Sequence, residues 1–89
     1  MLPFAFSEDC FEDGVDYPGH DFAWPKVTNP ADCQKECGKN AECNYWTYVR
    51  TWTACHLKRA KGGSSTTHNL DLISGSKNCG EYTYNIAFA

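Results

Sequence analysis

The chain has 89 residues, six of them cysteine, with 15% aromatic side chains and a formal charge of −3. A domain this short buries only about 60–65% of its unfolded surface, so a hydrophobic core alone leaves little margin. The aromatic content excludes intrinsic disorder, the absence of any long apolar run excludes membrane insertion, and the acidic balance opposes nucleic acid as a partner. An even number of cysteines in so small a chain predicts three disulfides and an oxidising, secreted or secretory-lumen setting. Residues 1–6 are too short and lack the basic start of a signal peptide, so the expectation is a piece of a larger secreted precursor.

Charge is unevenly distributed. Residues 1–25 hold six acids (Glu8, Asp9, Glu12, Asp13, Asp16 and Asp21) and no Lys or Arg, whereas residues 26–61 hold seven bases against three acids. Such a dipolar surface orients partners. Phe4 and Phe6 alternate near the start in a strand-like manner. A helix is predicted over residues 30–38: Thr28 or Asn29 caps it, Pro30 fits its first turn, Asp32 favours the positive end and Gly38 supplies a left-handed stop. Cys33 and Cys37 then share one face.

Asn44 to Arg50, rich in aromatic and β-branched residues, predicts a strand, with Thr53 to Lys58 as its hairpin partner and a turn near Arg50-Thr51-Trp52. Lys61 to Thr67 has the composition of a flexible polar loop. Leu70 to Gly75 predicts a further strand. Tyr82, Tyr84, Ile86 and Phe88 alternate with smaller residues and predict a terminal strand able to pair with the start. One helix among short strands defines an α+β module.

Taken in order, several short motifs are similar to those of PAN/apple modules. Cys10 is followed by Gly14-Val15-Asp16-Tyr17-Pro18-Gly19, then the helix with Cys33-xxx-Cys37. Cys43-xx-Trp46-Thr47-Tyr48, Cys55-His56-Leu57-Lys58, Ser74-Gly75 and Cys79 complete the pattern. The stretch from Gly14 to Asp21 most resembles modules of coccidian microneme adhesins. The resemblance covers residues 10–79 and implies a single module over residues 1–89 with its core at 10–79, one of a tandem array, with a helix cradled by a curved antiparallel sheet. It also implies the pairs Cys10–Cys79, Cys33–Cys55 and Cys37–Cys43; from sequence alone, six cysteines allow fifteen pairings.

The chemistry-bearing residues are few. Cys33-xxx-Cys37 is the only zinc-like spacing, His20, His56 and His68 share no ligand spacing, and no nucleophile motif accompanies the serines. No enzyme activity, metal or cofactor is expected. Trp46 and Tyr48 lie on one strand face, with Cys55 and Leu57 on the matching face of its neighbour, and are assigned to the core against the helix.

Trp52, next to Arg50 at the hairpin tip, is either a binding anchor or an indole folded back over the sheet. Lys58, Arg59 and Lys61 form a basic run, read either as a solvated edge or as a site for acidic glycans or acidic partners. Tyr17 with His20 and Asp21 is a second candidate sugar platform. The resemblance implies a non-catalytic adhesion module, secreted through a microneme to the parasite or host cell surface. Its partner would be another adhesin, a host-cell receptor or a neighbouring module of the same chain. The alternative is a lectin-like module recognising galactose-type or acidic cell-surface glycans.

Overall fold

A computed structural model describes residues 10–63, 65–66 and 69–79. The alternations expected at Phe4 and Phe6 and from Tyr82 to Phe88 lie outside these residues. In chain order the elements are β1 (Glu12–Asp13), β2 (Val15–Asp16), β3 (Asp21–Ala23), α1 (Pro30–Lys39), β4 (Tyr45–Val49), β5 (Ala54–Lys58), β6 (Ser65–Thr66) and β7 (Leu72–Ser76). Among the described residues, five strands form an antiparallel sheet in the order β1-β7-β4-β5-β3, and β2 pairs with β6 in a separate ribbon.

The helix starts as its sequence dictates. Asn29 is the cap: its side-chain oxygen accepts from the Asp32 backbone N–H at 2.8 Å, and Pro30 opens the first turn. Its end differs from the expectation. Gly38 stays inside the helix, which continues through Lys39, and Asn40 closes it in an extended conformation with its N–H donated to the Cys37 carbonyl. The polar cap of Asn40 makes a left-handed glycine unnecessary. The stretch from Lys61 to Thr67 also departs from a simple loop, because Ser65 and Thr66 pair with Asp16 and Val15.

The hairpin places residues by alternation. Trp46 lies opposite Leu57 and Tyr48 opposite Cys55, so these four share the face toward the helix. They are buried together with Cys33, Cys37, Cys43 and Ile73, and Phe11, Phe22, Ala23 and Val27 pack around them. Trp46 is the centre of this core. Its indole N–H donates to the Gln34 side chain at 2.6 Å, and Phe11 meets its ring edge-on at a centroid distance of 4.9 Å. Gln34 in turn donates to the Lys77 backbone carbonyl, so one buried amide joins helix, β4 and the end of β7.

The disulfides connect Cys10 to Cys79, Cys33 to Cys55 and Cys37 to Cys43, the pairing that the resemblance implies. They close sequence separations of 69, 22 and 6 residues. In the chain-entropy picture each contributes about 2–4 kcal/mol, with nested loops adding less than their sum. No helix among the described residues is long and apolar enough to cross a membrane.

Gly75 stands opposite Trp46 in register, and a Cβ built there would lie 2.6 Å from the indole Cζ2. The indole is buried and cannot retreat, so Gly75→Ala is expected to cost about 1–3 kcal/mol. Gly38→Ala, at an exposed helical position, is expected to gain about 0.5–1 kcal/mol. Urea denaturation under non-reducing conditions measures both, and the opposite signs are the check.

Candidate functional site

The alternation that sends Cys55 and Leu57 toward the helix sends His56 and Lys58 to the other face of β5. Lys58 is buried, at 2% exposure. A buried ammonium requires a counter-charge, and Asp21 supplies it: Lys58 Nζ donates to Asp21 Oδ1. The Gly19 carbonyl accepts a second bond from the same ammonium at 3.4 Å. Asp21 Oδ2 also lies 3.2 Å from His56 Nδ1. One carboxylate therefore organises both polar side chains of β5 and holds the segment before β3 against the sheet.

His56 contacts two indoles. Trp52 stacks on it, with a centroid distance of 6.2 Å and an interplanar angle of 21°, while Trp24 approaches edge-on at 6.4 Å and 77°. Both indoles are largely in solvent, Trp24 at 56% and Trp52 at 60% exposure. Lys26 Nζ donates to the Trp52 carbonyl at 2.9 Å, and Pro25 and Val27 hydrogen-bond to Cys55 and Thr53, so the two tryptophans are carried by backbones tied to one another. A pocket of about 330 Å³ opens beside Trp52. Asp16, Asp21, Thr47, His56 and Lys58 contribute its polar lining, and Val49 and Leu72 contribute apolar lining.

The structure redistributes the residues singled out from sequence. Trp52 and Asp21 line this pocket, but Arg50 does not join Trp52: its Nε donates to the Leu70 carbonyl at 3.0 Å. Lys58 is separated from Arg59 and Lys61, because strand alternation and Asp21 draw it inward. Tyr17 and His20 also fail to form a platform with Asp21. Tyr17 is buried, donates to Glu12 and meets Tyr45 edge-on, and its phenol is pushed well above its ordinary pKa, first by desolvation and then by the Glu12 hydrogen bond.

His20 is exposed in a left-handed conformation (φ 63°), its ring against Gly62. Gly62 is required there: its φ is +69°, and an added Cβ would lie 2.6 Å from the Pro18 carbonyl oxygen. Arg59 and Lys61 line a different cleft at the opposite end of the central strands.

Two members of the aromatic group escaped the sequence reading. His56 was visible there only as an isolated histidine, although alternation from Cys55 is a usable signal for its face. Trp24 lies in a segment without strand periodicity, and the backbone bonds of Pro25 and Val27 to the β4–β5 hairpin bring it beside His56. All six cysteines are in disulfides, and no group of three or more His, Cys, Asp or Glu side chains among the described residues is arranged to hold a metal ion.

The chain belongs to the PAN-domain family, whose model matches residues 11–84. It is similar to the two N-terminal apple domains of Toxoplasma gondii microneme protein 4, with 29% identity and a TM-score of 0.65 over 78% of this chain and 45% of that one. The chain thus spans under half the length of that two-domain structure. It is also similar to a PAN module from Eimeria tenella, with 26% identity and a TM-score of 0.61, covering 82% of this chain and 84% of that module.

Removing one partner of a buried ion pair is more costly than replacing the pair. Asp21→Asn is expected to destabilise the fold by about 2–3 kcal/mol, because it leaves the Lys58 ammonium buried without a counter-charge. In a Lys58→Met background the same change is expected to cost less than about 1 kcal/mol. Urea midpoints of the four proteins in the cycle measure the difference, and equal costs in both backgrounds would contradict the coupling.

Proposed function

We propose that this chain is a non-catalytic extracellular adhesion module whose contact surface is the Trp24–His56–Trp52 group. The observation that carries the proposal is the pair of indoles, each more than half exposed, that both contact one histidine. Folding normally removes such area from water, and exposed tryptophans on ordered backbone are the residues that most often dominate protein interfaces. Disulfides and the Lys58–Asp21 pair order the surface in advance, so little entropy is lost on binding.

PAN/apple modules of microneme adhesins are adhesion modules, and the likeness to the apple domains of a microneme protein supports the same role here. The setting we infer is a microneme and then the parasite or host cell surface. The partner is a host-cell receptor or another adhesin, with neighbouring modules of a tandem array adding avidity.

A second reading, a galactose-type lectin, is favoured by one feature. The pocket beside Trp52 combines an indole with Asp16, Thr47 and His56, the mixture of apolar platform and polar groups that a sugar ring requires.

Flow cytometry of the labelled, folded protein on host epithelial cells separates the two. For the protein-binding module, binding is lost after mild trypsin treatment of the cells and is unaffected by millimolar galactose. Trp52→Ala is expected to weaken binding by about 2 kcal/mol, roughly thirtyfold. Competition by galactose with retention of binding after trypsin would transfer the site to the lectin reading. Full binding by Trp52→Ala would reject this surface.

A further inference from the structure

At the opposite end of the central strands from Trp52 lies a cleft of about 530 Å³. It forms where β4 begins and where β5 and β7 end, and Arg59, Lys61 and Lys77 supply three positive charges to its lining. Among the described residues no carboxylate lines it, in a chain whose formal charge is −3. Asn44, Ser76 and Asn78 supply neutral hydrogen-bonding groups, and among the described residues Tyr45 is its one aromatic wall.

Asn44 sets this arrangement. Its backbone N–H donates to the Lys58 carbonyl at 2.9 Å, its carbonyl accepts from the Lys77 N–H at 2.9 Å, and its side-chain amide donates to the Arg59 carbonyl at 2.8 Å. The residues carrying two of the cations are thus fixed on either side of one asparagine.

The charges are also positioned for an external anion. The Arg59 guanidinium lies 4.5 Å from the centre of the Phe22 ring, and its only carboxylate partner among the described residues is Glu42, in a pair exposed on both sides. Such a pair contributes little and exchanges readily for a better acceptor. Lys61 Nζ lies 4.9 Å from the centre of the Tyr17 ring, and Lys77 Nζ donates to the Asn40 carbonyl at 3.0 Å. Neither lysine has a carboxylate within 4.0 Å among the described residues.

We propose that this cleft binds an acidic glycan, with sulfate groups received by Arg59, Lys61 and Lys77 and sugar hydroxyls by Asn44, Ser76 and Asn78. The neutral amides and hydroxyl of Asn44, Ser76 and Asn78 suit the hydroxyls of a polyol, which the side chains of an acidic peptide do not carry. A nucleic acid would need several stacking surfaces, and Tyr45 alone does not supply them. The site is separate from the Trp24–His56–Trp52 surface, so the two proposals stand or fall independently.

The test is isothermal titration of the folded, disulfide-bonded protein with a heparin-derived hexasaccharide at low ionic strength. Saturable binding is expected, weakening as salt is raised. Lys61→Ala and Lys77→Ala are each expected to lower affinity three- to tenfold, and the double variant to abolish binding. Lys39→Ala, in an exposed pair on the helix, and Trp52→Ala are expected to leave it unchanged.

If Lys77→Ala fails to fold, Lys61→Glu, with a native circular dichroism spectrum, supplies the same loss. The proposal is overturned if the hexasaccharide does not bind, if fully desulfated hexasaccharide binds equally well, or if Lys39→Ala weakens binding as much as Lys61→Ala. Equal affinity for a hexaglutamate peptide would also overturn it, by showing a site for any acidic polymer.

Discussion

The bond between Cys33 and Cys55 decides what both faces of the sheet present. Cys55 is the second of the five residues of β5, so tying it to the helix fixes the parity of the whole strand. Cys55 and Leu57 must then face inward with Trp46 and Tyr48, and His56 and Lys58 must face away. A slip of one residue would bury the histidine and the lysine against the helix, where no counter-charge waits. The disulfide therefore does more than restrict the unfolded chain. It selects the register in which a functional face exists.

Each face then solves its own chemical problem. The helix side is apolar apart from Gln34, whose amide is satisfied by the Trp46 indole and the Lys77 carbonyl. The Gly75 position lets that indole lie against the sheet at a distance no Cβ would tolerate. On the far side, Lys58 is buried only because Asp21 and the Gly19 carbonyl reach it, and this draws the segment before β3 across the sheet. The same carboxylate holds His56, and His56 gives Trp24 and Trp52 a common surface. Stability and the candidate contact surface are thus linked through one aspartate.

Much of this was legible in the sequence because it is local. Asn29, Pro30 and Asp32 mark the helix start by side-chain chemistry acting within one turn, and alternation between Asn44 and Lys58 assigns the two faces of the hairpin. The two- and three-residue strands β1, β2 and β3 are too short to carry a period, so they were missed. Gly38 misled because glycine is compatible with a helix end without requiring one, and Asn40 provides the cap. Lys58 looked like one member of a basic run, and only Asp21, 37 residues away, explains its burial. The cleft at the other end was equally hidden, since Asn44, Arg59 and Lys77 meet only through strand ends distant in the chain.

The central claim is that the face directed away from the helix, and not the helix itself, makes the adhesive contact. Hydroxyl-radical footprinting with mass spectrometry, comparing the free protein with protein bound at the host-cell surface, tests it most directly. Trp24, Trp52 and His56 should be strongly protected on binding, while Lys35 and Lys39 on the helix keep their free reactivity. Protection confined to the helix, with both tryptophans oxidised at the free rate, would contradict it.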